Sequence, residues 1–433
     1  MNSAERYDLS LEVIVLLIYG TFMILFGALL VGIVAGRLPF APDSMYGLFL
    51  ILIAFQTVTL GRTPFGDLRR SWGLVAIGIG MAVFGMVGCF VPGPFGGTLQ
   101  VLVGLLLTGG GATLLWQLAI RVDQARAWIK GPRILIILTF SAASVYLLTL
   151  LAGLVTLFPG VISAPHTTVF LILYGLSFLS LGWTLHEVGE TYGPDSIRVK
   201  SPHVSPLGRI RGERRLFVRD ARLSLAVAIM LLQAVLVTLL GMLLFPVSFG
   251  LLPFSPDGQH GLLLVIMAIQ IMALGSTPVG EYRRSLPMTL LGMLFAAVGI
   301  FSCIVPGVIT GQTGLLLGLL GLVGGVLSLV RGLLAMRHRE TNPLAHPGAM
   351  PPRLRPLTLL LTTVAVVQVV FGLSMLLPTL MPAIIGAAMV VVNGLLLFAL
   401  TGMLFQLDRL GDDPATASAA APATTAAPRA ANT

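Results

Sequence analysis

Apolar segments of about twenty residues recur along the whole chain, and this feature constrains the fold more than any other. Only 10% of the residues are charged and 56% are hydrophobic, whereas soluble domains carry about 25% charged residues. About twenty apolar residues are what an α-helix needs to cross a bilayer. Transmembrane β-strands would instead alternate polar and apolar positions, and these segments do not. The sequence therefore predicts an all-α, polytopic membrane helical bundle.

The apolar segments divide at charged, Pro or Gly positions into about twelve predicted transmembrane helices. The first six spans are residues 11–35, 45–61, 73–92, 98–120, 134–158 and 167–186. The second six are residues 223–246, 261–275, 288–306, 313–335, 356–380 and 383–405. The first segment follows a mostly acidic N-terminus and is longer than the core of a signal peptide, so we expect it to be retained.

The distribution of Lys and Arg predicts the orientation in the membrane. Of the 26 basic residues, only Arg37 falls on the side of the short proline-containing turns; the other 25 fall on the opposite side. Basic loops remain in the cytoplasm, so we expect a cytoplasmic-membrane protein with both termini inside. The net charge of +9 then indicates contact with anionic lipid headgroups of the bilayer, and we expect no nucleic-acid partner.

The chain contains an internal repeat with an offset of 214 residues. Residues 38–71 match residues 252–285 without gaps, with 18 identities in 34 positions. The register continues through Cys89 and Cys303 and through two VPG triplets. Six spans per repeat is an even number, so the two repeats are expected to have the same orientation, related by a pseudo-twofold axis along the membrane normal.

The repeat predicts a division of the chain into four parts. Residues 1–187 form a first six-helix repeat, 188–222 a basic cytoplasmic linker, 223–407 a second six-helix repeat, and 408–433 a disordered tail rich in Ala, Pro and Thr. Residues 209–222 of the linker are interpreted either as a basic helix lying on the inner leaflet or as a solvated connection.

The strongest repeated motif is G-[RS]-T-P-x-G-[DE]-x-R-R-S, which follows the second span of each repeat. Its candidate functional residues are Thr63, Pro64, Asp67, Arg69 and Arg70 in the first copy and Thr277, Pro278, Glu281, Arg283 and Arg284 in the second. Paired arginines can clamp an anionic headgroup or substrate, or form a cytoplasmic gate by pairing with the acidic residue. Alternatively, they anchor the topology next to a tight turn. Both interpretations remain open.

Gln56 and Gln270 are repeat-equivalent amides inside the short second spans. An amide in hydrocarbon should face the interior of the bundle, where the pair would either line a substrate path or hydrogen-bond to neighbouring helices. Cys89 and Cys303, also equivalent, are either small buried residues or, if both lie near the pseudo-twofold axis, partners for a disulfide. His260 lies on the outer side, where its protonation could report external acidity, but it has no repeat-equivalent His.

The motifs of enzymes are missing from the sequence. It contains no phosphate-binding loop, nucleophile elbow or paired catalytic carboxylates, and its six His and two Cys lack metal-ligand spacing. We therefore expect no enzyme activity, metal or cofactor. No carboxylate falls in the middle of a predicted span, which argues against ion-coupled transport but leaves facilitated transport open.

Two families resemble parts of this pattern. Two sets of six spans, a long basic linker and the motif containing Gly61, Asp67, Arg69 and Arg70 resemble the major facilitator superfamily, although the motif spacing differs and Thr-Pro is inserted. Gly-rich helix, Pro turn, Gly-rich helix hairpins at 73–120 and 292–333 resemble the HdeD-like membrane proteins linked to acid stress. Each repeat would correspond to one six-span HdeD-like member.

Three functions are compatible with the sequence. The leading hypothesis is a transporter-like protein that moves a small solute between the two repeats, with Gln56 and Gln270 on the path. The second is a non-transporting stress-response or scaffold protein of HdeD type, packed without internal water. The third is a membrane subunit that binds lipid or a partner through its basic linker.

Overall fold

The computed structural model describes residues 9–59, 72–91, 93, 95, 97–120, 129–192, 225–273, 286–341, 354–377 and 382–411. Within these ranges the chain is helical and has no strand. The predicted all-α class is therefore confirmed for the described part of the chain.

Twelve helices occupy the described residues. Those of the first half are α1 (Leu11–Val34), α2 (Pro42–Thr59), α3 (Trp72–Phe90), α4 (Thr98–Ile120), α5 (Arg133–Leu157) and α6 (Ala164–Tyr192). Those of the second half are α7 (Leu225–Ser248), α8 (Pro256–Ala273), α9 (Leu286–Ile304), α10 (Thr310–Thr341), α11 (Leu354–Leu376) and α12 (Ala383–Gly411). Three helices, α6, α10 and α12, continue five or more residues past their predicted spans, because polar residues there are good helix formers.

Ten of these helices are long and apolar enough to cross a membrane, so the chain is a multi-pass membrane protein. The exceptions, α2 and α8, have 18 residues each and carry polar residues in their first turns, including Asp43 and Asp257. Both helices are buried along most of their length. A helix surrounded by protein does not need a lipid-facing surface, so a short apolar segment with a polar first turn is tolerated in both positions.

The helices pair in the same way in both halves. In the first half, α1 packs most extensively on α6, α2 on α3, and α4 on α5; in the second, α7 packs on α12, α8 on α9, and α10 on α11. Contacts between the halves are made mainly by α1, α2 and α3 against α7, α8 and α9. Each pair of helices in contact across the halves has an equivalent pair, found by replacing each helix with its counterpart in the other half.

Glycine pairs set the closest helix contacts within each half. A Cβ built on Gly47 of α2 would lie 2.5 Å from the carbonyl oxygen of Gly85 in α3. A Cβ on Gly261 of α8 would lie 2.5 Å from the carbonyl oxygen of Gly299 in α9. Only a residue without a side chain allows backbones to approach this closely, a packing mode that is common between membrane helices. The close approach brings the ends of α3 and α9 against α2 and α8.

Candidate functional site: the seam between the halves

Two backbone hydrogen bonds join the halves at the end of the bundle where α3 and α9 terminate. The amide of Ala41 donates to the carbonyl of Ile304 at 3.2 Å, and the amide of Ser255 donates to the carbonyl of Phe90 at 3.1 Å. Each donor and each acceptor is offset by 214 residues from its counterpart, so the contact is reciprocal. We call this contact, together with the packing of α1–α3 on α7–α9, the seam.

An aspartate beside the seam holds the turn that follows α3 or α9. Asp43 Oδ2 accepts a hydrogen bond from the amide of Gly93 at 2.9 Å, and Asp257 Oδ2 accepts one from Gly307 at 3.1 Å. Both glycines have positive φ, 95° and 81° respectively, a conformation that favours glycine. Each aspartate thus holds the positive-φ glycine that ends a VPG triplet, a role that the sequence analysis did not assign to it.

The second half adds further polar contacts to this unit. The Thr310 hydroxyl donates to Asp257 Oδ1 at 2.6 Å, and the Thr313 hydroxyl lies 3.3 Å from His260 Nδ1. Asp257 is 6% exposed and Thr313 is fully buried. His260 is therefore packed against α10 as part of a buried hydrogen-bonded cluster. Its predicted role in sensing external acidity is untested.

The two cysteines lie at the seam next to the cross-half hydrogen bonds. Both are free and buried. The Cys89 thiol donates to the Ser44 carbonyl at 3.3 Å, and the Cys303 thiol donates to the Gly258 carbonyl at 3.7 Å. Gly258, whose carbonyl accepts from the Cys303 thiol, also packs against the carbonyl of Cys89 from the other half. Both cysteines are therefore small buried residues, one of the two interpretations that the sequence left open, and the disulfide stays a prediction.

Gln56 and Gln270 are partly buried on α2 and α8. Gln270 Nε2 donates to Gln233 Oε1 of α7 at 3.4 Å, a bond between helices of one half. Gln233 is fully buried, and its own Nε2 has no hydrogen-bond partner among the described residues. The repeat-equivalent of Gln233 is Tyr19, so the sequence repeat gave no signal that Gln270 would find an amide there. Whether either glutamine lines a substrate path stays a prediction.

The motif loops lie outside the described residues, and with them all ten candidate gate or headgroup residues: Thr63, Pro64, Asp67, Arg69, Arg70, Thr277, Pro278, Glu281, Arg283 and Arg284. Residues 209–222 of the linker lie outside them as well. Their predicted roles stay predictions.

The interior of the bundle around α2 and α8 is apolar. Repeat-equivalent Leu50 and Leu264, midway along α2 and α8, are both fully buried, as are Ala54 and Ala268 one turn further on. Among the described residues, no Asp, Glu, Lys or Arg falls in the middle third of a helix, and no group of three or more metal-ligating side chains occurs. These helices therefore meet through dispersion and close packing rather than around charged groups.

A groove of about 410 Å³ lies away from the seam, between α3 and α4. Ile77, Met81, Phe84, Phe95 and Leu102 contribute to its apolar lining. The side chains of Ile77 and Phe84 are 58% and 50% exposed, respectively, as expected for a surface that meets lipid chains. The groove has no polar groups suited to selecting a solute.

No known protein family, curated protein or solved structure matches this chain.

The Gln233–Gln270 contact is testable as a purely structural bond. Changing either residue alone to Leu should destabilise the protein, because each single change leaves the other amide buried without its partner. The double change to Leu should restore most of the stability, with a coupling of about 0.6 kcal/mol, the average measured between membrane helices, and at most about 1.7 kcal/mol. A double-mutant cycle on thermal unfolding in detergent measures this coupling. Additive losses would show that the two amides do not depend on each other.

Proposed function

We propose that this chain is a non-transporting scaffold or stress-response protein of the cytoplasmic membrane. In this proposal about twelve spans form two parallel six-helix halves, and both termini are cytoplasmic. One observation carries the proposal: α2 and α8, which both take part in the seam, are enclosed by apolar packing along most of their length. A bundle packed in this way holds its halves at fixed positions. The resemblance of the Gly-rich hairpins to HdeD-like proteins points in the same direction.

The basic loops give the scaffold a surface on which to act. In the proposed orientation, 25 of 26 basic residues face the cytoplasm, where anionic lipid attracts Lys and Arg by about 1 kcal/mol for each residue near the surface. A rigid bundle would present the two arginine-containing loops and the linker at constant spacing to the inner leaflet. Anionic lipid headgroups are therefore the proposed partners, and no enzyme activity or cofactor forms part of the proposal.

The second candidate function is transport of a small solute between the halves. It is favoured by the partial exposure of Gln56 and Gln270, which lie nearer the proposed cytoplasmic ends of α2 and α8 than the fully buried leucines. In that account the glutamines bind solute and the arginine-containing loops close over it. Transport would require the reciprocal hydrogen bonds of the seam to break in each cycle.

A distance measured across the seam tests the proposal. Val34 and Leu251, at the same end of the bundle but in different halves, are 62% and 73% exposed. Both would be changed to Cys and spin-labelled in a variant with Cys89→Ala and Cys303→Ala, then reconstituted in liposomes. We expect one narrow distance distribution, unchanged by a pH gradient or a membrane potential of either sign.

A matched pair within the first half, Val34→Cys with Val161→Cys, controls for local motion of the labels. Val161 is 75% exposed, and both accounts expect this distance to remain constant. A second population that appears only in the cross-half pair would overturn the scaffold proposal in favour of transport.

A further inference from the structure

The two cysteines of this chain are far apart in the sequence, and the packing of the two halves places both of them at the seam. They are 214 residues apart, on the last turns of α3 and α9. The residues that follow them, Phe90 and Ile304, accept the two reciprocal cross-half hydrogen bonds. Each cysteine therefore lies one residue from the place where the halves are joined, and both contact Gly258: its carbonyl accepts from the Cys303 thiol, and the Cys89 carbonyl packs against it from the other half.

The local packing fixes both thiols in this position. The Cys89 and Cys303 side chains are 0% and 1% exposed. Gly47 and Gly261 of the glycine pairs press directly on Cys89 and Cys303, because a Cβ at either position would lie within 3.0 Å of the neighbouring sulfur. Gly258 packs against the carbonyl of Cys89 from the other half. Both thiols donate to backbone carbonyls of the helix packed beside them, Ser44 on α2 for Cys89 and Gly258 on α8 for Cys303.

The geometry points to Cys89 and Cys303 as a redox pair whose disulfide covalently joins the two halves at their seam. Its formation breaks two S–H bonds and makes one S–S bond, releasing two protons and two electrons. Burial excludes a protein oxidoreductase from the thiols, so the oxidant must be a small molecule that partitions into the bilayer. A quinone meets this requirement: it takes up both electrons and both protons and becomes the hydroquinone.

The surroundings of the pair suit a structural disulfide rather than a catalytic dithiol. Catalytic cysteines are partly exposed in electropositive surroundings, whereas these thiols are sealed among apolar residues and hydrogen-bonded to backbone carbonyls. Oxidation would join the two cysteines by a bond and fix the spacing of the halves. This inference does not depend on whether a solute passes through the protein.

Counting free thiols in the full-length protein tests the inference, because the chain contains only two cysteines. Membranes that contain the protein would be treated with a lipid-soluble quinone, denatured in acid, and alkylated with maleimide-linked polyethylene glycol. We expect no labelled thiol after quinone and two after subsequent reduction, with the chain remaining monomeric on a non-reducing gel. Cys89→Ala and Cys303→Ala variants should each show one labelled thiol under both conditions.

Two labelled thiols after quinone treatment, or a covalent dimer in place of the internal bond, would overturn the inference. Failure here would leave the scaffold proposal untouched, since its distance measurement is made in the variant lacking both cysteines. A second population in that distance measurement would, in turn, leave the thiol count unchanged.

Discussion

Replacing Gly258 with Leu should separate the two halves of the chain. Gly258, in the first turn of α8, packs so closely on the carbonyl oxygen of Cys89 that an added Cβ would overlap it. The oxygen belongs to backbone at the end of α3, so it cannot move aside as a flexible side chain would. Overpacking typically costs about 1–3 kcal/mol, and more where backbone must shift. The shift would also stretch the Ser255 to Phe90 hydrogen bond, three residues away.

The measurement uses the folded, full-length protein with a protease site inserted between Pro202 and His203 of the linker. After cleavage, the wild-type halves should elute together in mild detergent and the Gly258→Leu halves should elute apart. Gly80→Leu is the matched control, because nothing lies within 4 Å of a Cβ at Gly80 and the position borders the α3–α4 groove. Co-elution of the Gly258→Leu halves would mean that the contact between Gly258 and Cys89 is not needed to hold the two halves together.

Replacing Asp257 with Ala should cost more stability than the same change at its repeat-equivalent, Asp43. Asp257 accepts hydrogen bonds from the Gly307 amide and the Thr310 hydroxyl, whereas Asp43 accepts one from the Gly93 amide, at the surface. Bonds to a charged group contribute about 1.5–3 kcal/mol each. We therefore expect a loss of about 3 kcal/mol for Asp257→Ala and about half of that for Asp43→Ala.

Thermal unfolding in detergent, followed by size-exclusion chromatography, ranks these two variants. Asp257→Asn keeps one acceptor oxygen and should fall between the wild-type protein and Asp257→Ala. Equal losses for Asp43→Ala and Asp257→Ala would contradict the assignment of extra stability to the contact with Thr310.

The sequence predicted the helices well because hydrocarbon length and hydropathy act locally. It located α1 to within one residue at either end, and the predicted span 98–120 coincides with α4. The starts of α2 and α8 were placed three and five residues too late, since their first turns contain Asp43 or Asp257 and were read as loop. Turn amides donate hydrogen bonds to those carboxylates, and this depends on the position of α3 or α9, which hydropathy does not encode.

The candidate site was harder to predict because its contacts connect residues far apart in the chain. Equivalence of Cys89 and Cys303 was visible in the repeat, but their position at the seam required the halves to meet at the last turns of α3 and α9. The partner of Gln270 is Gln233, where the first half has Tyr19. A repeat identifies residues in equivalent environments, but it does not reveal contacts made by the residues that differ.

The central claim, an interior without water around α2 and α8, is tested most directly by thiol labelling at Leu50 and Leu264. These repeat-equivalent residues are fully buried, and each would be changed to Cys alone in the variant with Cys89→Ala and Cys303→Ala. Exposed Val161→Cys and Lys130→Cys serve as controls, which in the proposed orientation react with a membrane-impermeant maleimide only from outside and only from inside, respectively. We predict that Leu50→Cys and Leu264→Cys remain unlabelled from both sides for hours and react only after denaturation. Labelling of either residue from both sides of the intact membrane would show that water reaches the interior around α2 and α8 from each side in turn, and would contradict the account.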